Sequence, residues 1–185
     1  PGTPISDIYP GEHHTCLNLT SVAGQFIENI VLSDVHVIYA GGGTAEMAAL
    51  RDVPQVSGGE YFACGILPAY GLFARNVRGL TLNNVRFETA SPDLRPGVVF
   101  DHVQDAAVNS LNVQGNKDAD SLLRFTDSRD VLLSASRVLT PAAVFLQVEG
   151  ADNGNITIDG GDISKAATPV AFKNGASESS VKLRA

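Results

Sequence analysis

The sequence predicts an all-β chain: a right-handed, single-stranded parallel β-helix of about six coils, with one long inserted loop. Three observations carry that expectation. A short strand–bend–strand pattern recurs about every 25 residues, a second register of apolar runs precedes each copy, and no stretch has a 3.6-residue period long enough for a helix in every repeat.

The recurring pattern is clearest in Ile30-Val31-Leu32-Ser33-Asp34-Val35-His36-Val37 and Leu80-Thr81-Leu82-Asn83-Asn84-Val85-Arg86-Phe87. Further copies begin at Ala106, Val131, Ile156 and Val181, so the starts 80, 106, 131, 156 and 181 are 26, 25, 25 and 25 residues apart. A fixed period of this length marks a solenoid in which each coil packs only on its neighbours. The second register comprises Cys16-Leu17-Asn18-Leu19, Leu72-Phe73, Val98-Val99-Phe100, Leu122-Leu123-Arg124-Phe125, Val144-Phe145-Leu146 and Val170-Ala171-Phe172. Each coil is therefore expected to hold three short strands, one before the motif and two flanking its polar bend. Ser33, Asn83, Asn109, Ser134 and Asp159 fall at that bend, where a tight corner favours small residues that accept a left-handed backbone or hydrogen-bond their own chain.

The interval from 30 to 80 is twice the period, and the excess lies in residues 39–70, an inserted loop within a single domain spanning 1–185. Inside it, Thr44 to Arg51 reads as two helical turns capped by Thr44. Tyr61, Phe62, Ile66, Leu67 and Tyr70 make the loop too apolar to be left unpacked. Gly41-Gly42-Gly43 lacks the Lys-Ser/Thr of a phosphate-binding loop and reads as an exit from the coil.

Composition narrows the function. A net charge of -7 with no Lys/Arg cluster argues against a nucleic-acid partner, and no apolar run is long enough to cross a bilayer. The two cysteines, Cys16 and Cys64, are too few for a disulfide scaffold and too far apart for a redox CxxC, so they read as small apolar residues, with pairing to each other as the alternative. The four histidines show no metal-ligand spacing, and neither a metal nor any other cofactor is expected. Asn18-Leu19-Thr20 and Asn155-Ile156-Thr157 are glycosylation sequons, relevant only on a glycosylating secretory route. The chain opens at Pro1 and is read as a processed or truncated product. The final rung, Val181-Lys182-Leu183-Arg184, carries basic residues that oppose end-to-end pairing. Nothing comparable precedes Cys16, so further coils, a second chain or another copy are expected to cover the first rung.

The segments "FIENIVLSDVHVIYAGGGT", "GILPAYGLFARNVRGLTLNNVRFE" and "SPDLRPGVVFDHV" resemble the C-terminal part of bacterial glycoside hydrolase family 28, the polygalacturonases and rhamnogalacturonan-degrading enzymes. The resemblance covers roughly residues 1–113 and implies a pectin-lyase-like right-handed β-helix, a pectic polysaccharide or oligosaccharide as partner, and an extracellular or periplasmic location. The family's Asp-Asp, Gly-His-Gly and Arg-x-Lys motifs are absent from this chain. Asn116-Lys117-Asp118 matches the family's Asn-x-Asp triplet in type, but it stands late in a polar loop with no Asp-Asp after it, and is read as coincidental. The resemblance thus places the catalytic centre upstream of Pro1 and assigns no catalytic residue here.

Inverting glycoside hydrolysis needs two carboxyl groups about 6.5–9.5 Å apart. Asp93, Asp101, Asp118, Asp120, Asp127 and Asp130 lie in neighbouring loops, yet nothing in their spacing selects a pair. Sugars are held by aromatic faces and planar multi-donor groups. The candidates for substrate contact are accordingly Tyr61, Tyr70 and Arg75, which flank the return of the inserted loop, with Asp93 and Arg95 in the next loop. The competing reading of Asp93 and Arg95 is an internal pair bracing "SPDLRP". A non-catalytic carbohydrate-binding or structural β-helix remains the alternative function.

Overall fold

A computed structural model of the chain describes residues 12–54 and 64–184. It is a β-solenoid of two parallel sheets. Sheet A contains β1 (Leu17–Thr20), β3 (Leu72–Arg75), β5 (Val98–Asp101), β8 (Leu123–Thr126), β10 (Ala142–Glu149) and β12 (Ala166–Lys173), stacked in that order. Sheet B contains β2 (Ile27–Tyr39), β4 (Val77–Thr89), β6 (Gln104–Asn109), β9 (Arg129–Val138), β11 (Gly154–Asp162) and β13 (Val181–Arg184). The two-residue strand β7 (Asn112–Val113) bridges β4 and β9. Six rungs in each sheet make about five turns of the chain.

The strand register follows the sequence repeat residue for residue. Ile30 pairs with Leu80, Leu80 with Ala106, Ala106 with Val131, Val131 with Ile156, and Ile156 with Val181. In sheet A, Leu17, Leu72, Val98, Leu123, Leu146 and Val170 form the matching column. Stacking like residues about 4.8 Å apart fills the interior with ladders of side chains. The Phe100 and Phe125 rings lie parallel, with centroids 4.6 Å apart. They join Leu80, Leu82, Val85 and Phe87 in the core between the sheets.

Two expectations about the bend need correction. The motif does not split into two strands: β2, β4, β9 and β11 remain hydrogen-bonded through it, and only the third coil breaks, between β6 and β7. The left-handed residue is also one position later than expected. Ser33, Asn83, Asn109, Ser134 and Asp159 do align, but positive φ belongs to Asp34, Asn84, Ser110, Ala135 and Gly160. One such residue turns the chain and restores the inward side-chain phase, so the ladder need not end. A second column of left-handed residues, Asn29, Gly79, Asp105, Asp130 and Asn155, makes another corner. Side chains knit successive corners together: Asn84 Nδ2 donates to Asp34 at 2.7 Å, Asn155 Nδ2 to Asp130 at 2.9 Å, and Ser134 Oγ to Asn109 at 2.6 Å.

The inserted loop leaves after β2, and its described residues, 40–54 and 64–70, pack on the outer face of sheet A. Its helix α1 (Ala45–Ala49) is capped by Thr44, as the sequence predicts, with Met47 N–H donating to Thr44 Oγ1 at 3.4 Å. Arg51 clamps Glu149 through two bonds of 2.7 and 2.8 Å, Arg124 donates to the carbonyls of Ala48 and Leu50, and Arg75 to that of Val53. Val53, Cys64, Leu67 and Ala69 meet Phe73 and Val99 in a second apolar cluster. The described parts of the loop therefore form a packed cover over several rungs.

Candidate cleft beside sheet B

Where three successive sheet B strands end, their outgoing loops diverge around a cleft of about 470 Å³. The end of β4 contributes Thr89 and the Ala90–Asp93 loop, β7 leads into Gln114–Asp118, and β9 into Thr140 and Pro141. The cleft exists because these loops depart at the same corner of neighbouring rungs and are held apart by fixed bonds. The Gln114 amide donates to Thr89 O and Oγ1 and accepts from Thr89 N. Asn116 Nδ2 donates to the Asp93 carbonyl at 3.1 Å, while Asn116 Oδ1 accepts from Asp118 N at 3.0 Å. Thr140 Oγ1 donates to Gly115 O at 2.7 Å.

Tyr70 lies in the floor, its hydroxyl donating to Gln114 O at 2.6 Å. Burial, then the Asp93 charge, pushes its phenol well above the ordinary range, so it stays protonated. Beneath the Ser91–Asp93 loop, the Asp93 carboxylate takes bonds from Arg95 Nη2 at 2.8 Å, Arg95 Nε at 3.1 Å, Arg95 N at 2.8 Å and Gly43 N at 2.9 Å. Arg95 Nη1 donates to the carbonyls of His14, Leu67 and Ala69. Both side chains are 1% exposed. Burial opposes ionisation of Asp93, but the bonds and charge of Arg95, with the two backbone N–H groups, hold its carboxyl below the ordinary carboxylate value. The rim is different. Lys117 and Asp118 are exposed and paired at 2.9 Å, and Ser91 and Pro92 are open to solvent.

The structure therefore sorts the five expected contact residues. Tyr61 lies outside the described residues. Tyr70 and Asp93 come together at the cleft but are buried in its floor, and Arg95 is spent beneath it. Arg75 is elsewhere, on the covered face of sheet A, bonded to Asp101 at 2.6 Å and to Val53 O at 2.6 Å. The internal-brace reading of Asp93 and Arg95 thus matches their geometry. Of the residues that do reach the cleft opening, Asn116 and Lys117 belong to the Asn-x-Asp match that the sequence reading sets aside as coincidental, and Ser91 and Thr140 look like ordinary turn chemistry. The signal was the repeat itself, which aligns their loops as one corner of adjacent coils.

The spare carboxylates are likewise engaged. Asp101 holds Arg75 and bonds His102 at 2.6 Å, Asp118 holds Lys117, and Asp120 faces Lys173 at 3.4 Å. Asp127 accepts from Asp152 N, and Asp130 from Asn155. Glu149, buried under Arg51, also bonds Gln147 and Asn174. Its burial is outweighed by Arg51, Arg124 and Gln147, which hold it below the ordinary value. Burial, then Arg51, pushes Arg124 down to about 10. Among the described residues no group of three His, Cys, Asp or Glu side chains could hold a metal ion, and no helix is long and apolar enough to cross a membrane.

Comparison of the chain with known protein families, curated proteins and solved structures gave no match.

Proposed function

We propose that this chain is the C-terminal β-helix portion of a pectic-polysaccharide hydrolase of the glycoside hydrolase family 28 type, and that it holds substrate rather than cleaving it. The observation that carries this reading is the cleft. Its volume of about 470 Å³ suits a short saccharide, and small-ligand sites commonly span about 300–1,000 Å³. Ser91 offers its exposed hydroxyl, Thr140 and Asn116 keep a lone pair or a second amide hydrogen beyond the bonds they make to Gly115, Asp93 and Asp118, and Pro92 and Pro141 offer apolar edges for the ring. Lys117, whose exposed pairing with Asp118 a bound carboxylate would have to replace, supplies the cation for a uronate on a chain of net charge -7.

The ion-paired carboxylates of this chain support binding without cleavage. A general acid must keep its proton near neutral pH, which calls for a raised pKa. Asp93 and Glu149 are both shifted down, each by arginine, and Asp101 is bonded to Arg75. In this reading the acid and base belong to coils upstream of Pro1, as the resemblance implies, and a polymeric substrate goes with an extracellular or periplasmic setting. A non-catalytic carbohydrate-binding or structural module is the second reading, favoured by the internal bonding of Tyr70, Arg75, Asp93 and Arg95.

The test pairs calorimetric titration of the 185-residue chain with oligogalacturonides and rhamnogalacturonan fragments against product analysis on the same mixtures. Saturable binding that weakens in Lys117→Ala, with no cleavage products, is the expected result. Turnover that disappears when one carboxylate of this chain is replaced would overturn the division of labour. Absence of binding to every fragment would leave the structural-module reading standing.

A further inference from the structure

The chain has two cysteines, and the fold brings both to one place. Cys16 lies one residue before β1, while Cys64 lies on the returning limb of the inserted loop. Between that limb and sheet A, Cys64 belongs to the apolar cluster of Val53, Leu67, Ala69, Phe73 and Val99, and Cys16 packs against the same cluster. The Cys64 Sγ accepts from Asn18 Nδ2 at 3.5 Å. Asn18 is two residues from Cys16, about 6.6 Å along an extended strand. Both thiols are free in this structure. A disulfide requires Cα atoms about 4.4–6.8 Å apart, so closure requires the returning limb to carry Cys64 from Asn18 towards Cys16.

We propose that Cys16 and Cys64 form a redox pair whose disulfide clasps the inserted loop to the first rung. The described structure is the reduced form. Closure matters beyond the two sulfurs, because the limb after Cys64 carries the Leu67 and Ala69 carbonyls that hold Arg95 under the cleft floor. Oxidation therefore fixes the loop that supports the cleft.

The chemistry is thiol–disulfide exchange with a small disulfide such as oxidised glutathione. Cys64 is buried in the closed loop, so the first step needs the returning limb to open: the thiol then loses its proton and its sulfur attacks the glutathione disulfide, giving a mixed disulfide and one released glutathione thiol. Cys16 then gives up its proton, attacks Cys64 Sγ and expels the second glutathione thiol. Two protons and two electrons pass from the cysteines to the two glutathione molecules. Burial pushes the Cys16 thiol up to about 12, with the Arg95 charge opposing, so its thiolate is scarce at neutral pH and oxidation is slow.

Incubation of the purified chain with oxidised glutathione, followed by tryptic mapping without reductant, tests the pair. Cleavage after Arg51 and Arg75 leaves Cys16 in the fragment 1–51 and Cys64 in the fragment 52–75. The expected product is those two fragments joined, from a monomer lighter by two hydrogen atoms. Its thermal midpoint should rise by about 4–16 °C on oxidation and fall back with dithiothreitol. Cys64→Ala should show no oxidant-dependent midpoint; if that variant does not fold, the wild-type map alone decides. Two free thiols after oxidation, a disulfide only between chains, or a joined product with an unchanged or lowered midpoint would each overturn the clasp.

Discussion

Replacing Asp93 with Asn separates a brace from a substrate ligand. In the folded chain the Asp93 carboxylate accepts four bonds from Arg95 and Gly43 and is 1% exposed, as is its partner. The substitution leaves a guanidinium buried without its counter-charge, and removing one member of such a pair costs about 3–5 kcal/mol. In a domain of this size each kcal/mol moves the midpoint by roughly 2–4 °C. Thermal unfolding followed by circular dichroism should therefore show a loss of about 6–20 °C. The pH dependence supplies a second check. Because the folded carboxyl sits below its unfolded value of about 3.9, its contribution is fully present above that pH and is lost as pH falls towards the folded pKa. The gap between wild type and Asp93→Asn should accordingly narrow in acid. A midpoint within about 2 °C of wild type at neutral pH, particularly with saccharide binding abolished, would refute the brace and restore Asp93 as a substrate contact.

Four other outcomes follow from the same geometry. Ala135→Gly should raise the midpoint by about 1–4 °C, because Ala135 is a non-glycine residue at φ 51 and relief of that strain exceeds the entropy glycine adds. Gly161→Val should fail in thermal melts, since a Cβ there would lie 2.3 Å from the Ser136 carbonyl oxygen at a φ of +99. Glu149→Gln should unseat Arg51 and loosen α1, read as faster amide exchange in residues 45–51 while the sheet B core stays protected. Phe100→Ala should cost about 3–5 kcal/mol in urea unfolding, as it empties a fully buried site and removes the stack on Phe125.

The solenoid was legible because its cause is periodic. Leu80, Ala106, Val131, Ile156 and Val181 occupy one inward column, and a one-residue slip would expose them all, so spacing alone fixes the register. The Thr44 cap was legible for a local reason, a hydroxyl three residues before a free N–H. The bend was misplaced by one residue because Ser33 and Asp34, or Asn83 and Asn84, both suit a corner, and only backbone geometry tells which one turns. The site was less visible still. Asp93 and Arg95 look like sugar contacts in one dimension, and only burial shows that Leu67, Ala69 and Gly43 have already taken their bonds. Lys117 gives no local sign that Thr140, from the next coil, shares its cleft.

A crystal structure of the chain with a galacturonic acid trisaccharide, checked for cleavage products in the same drop, tests the central claim most directly. The expected result is intact sugar seated between Ser91–Pro92 and Asn116–Asp118 with a uronate carboxylate facing Lys117. Sugar bound on the sheet A face beneath a displaced inserted loop, or cleaved by the chain alone, would contradict it.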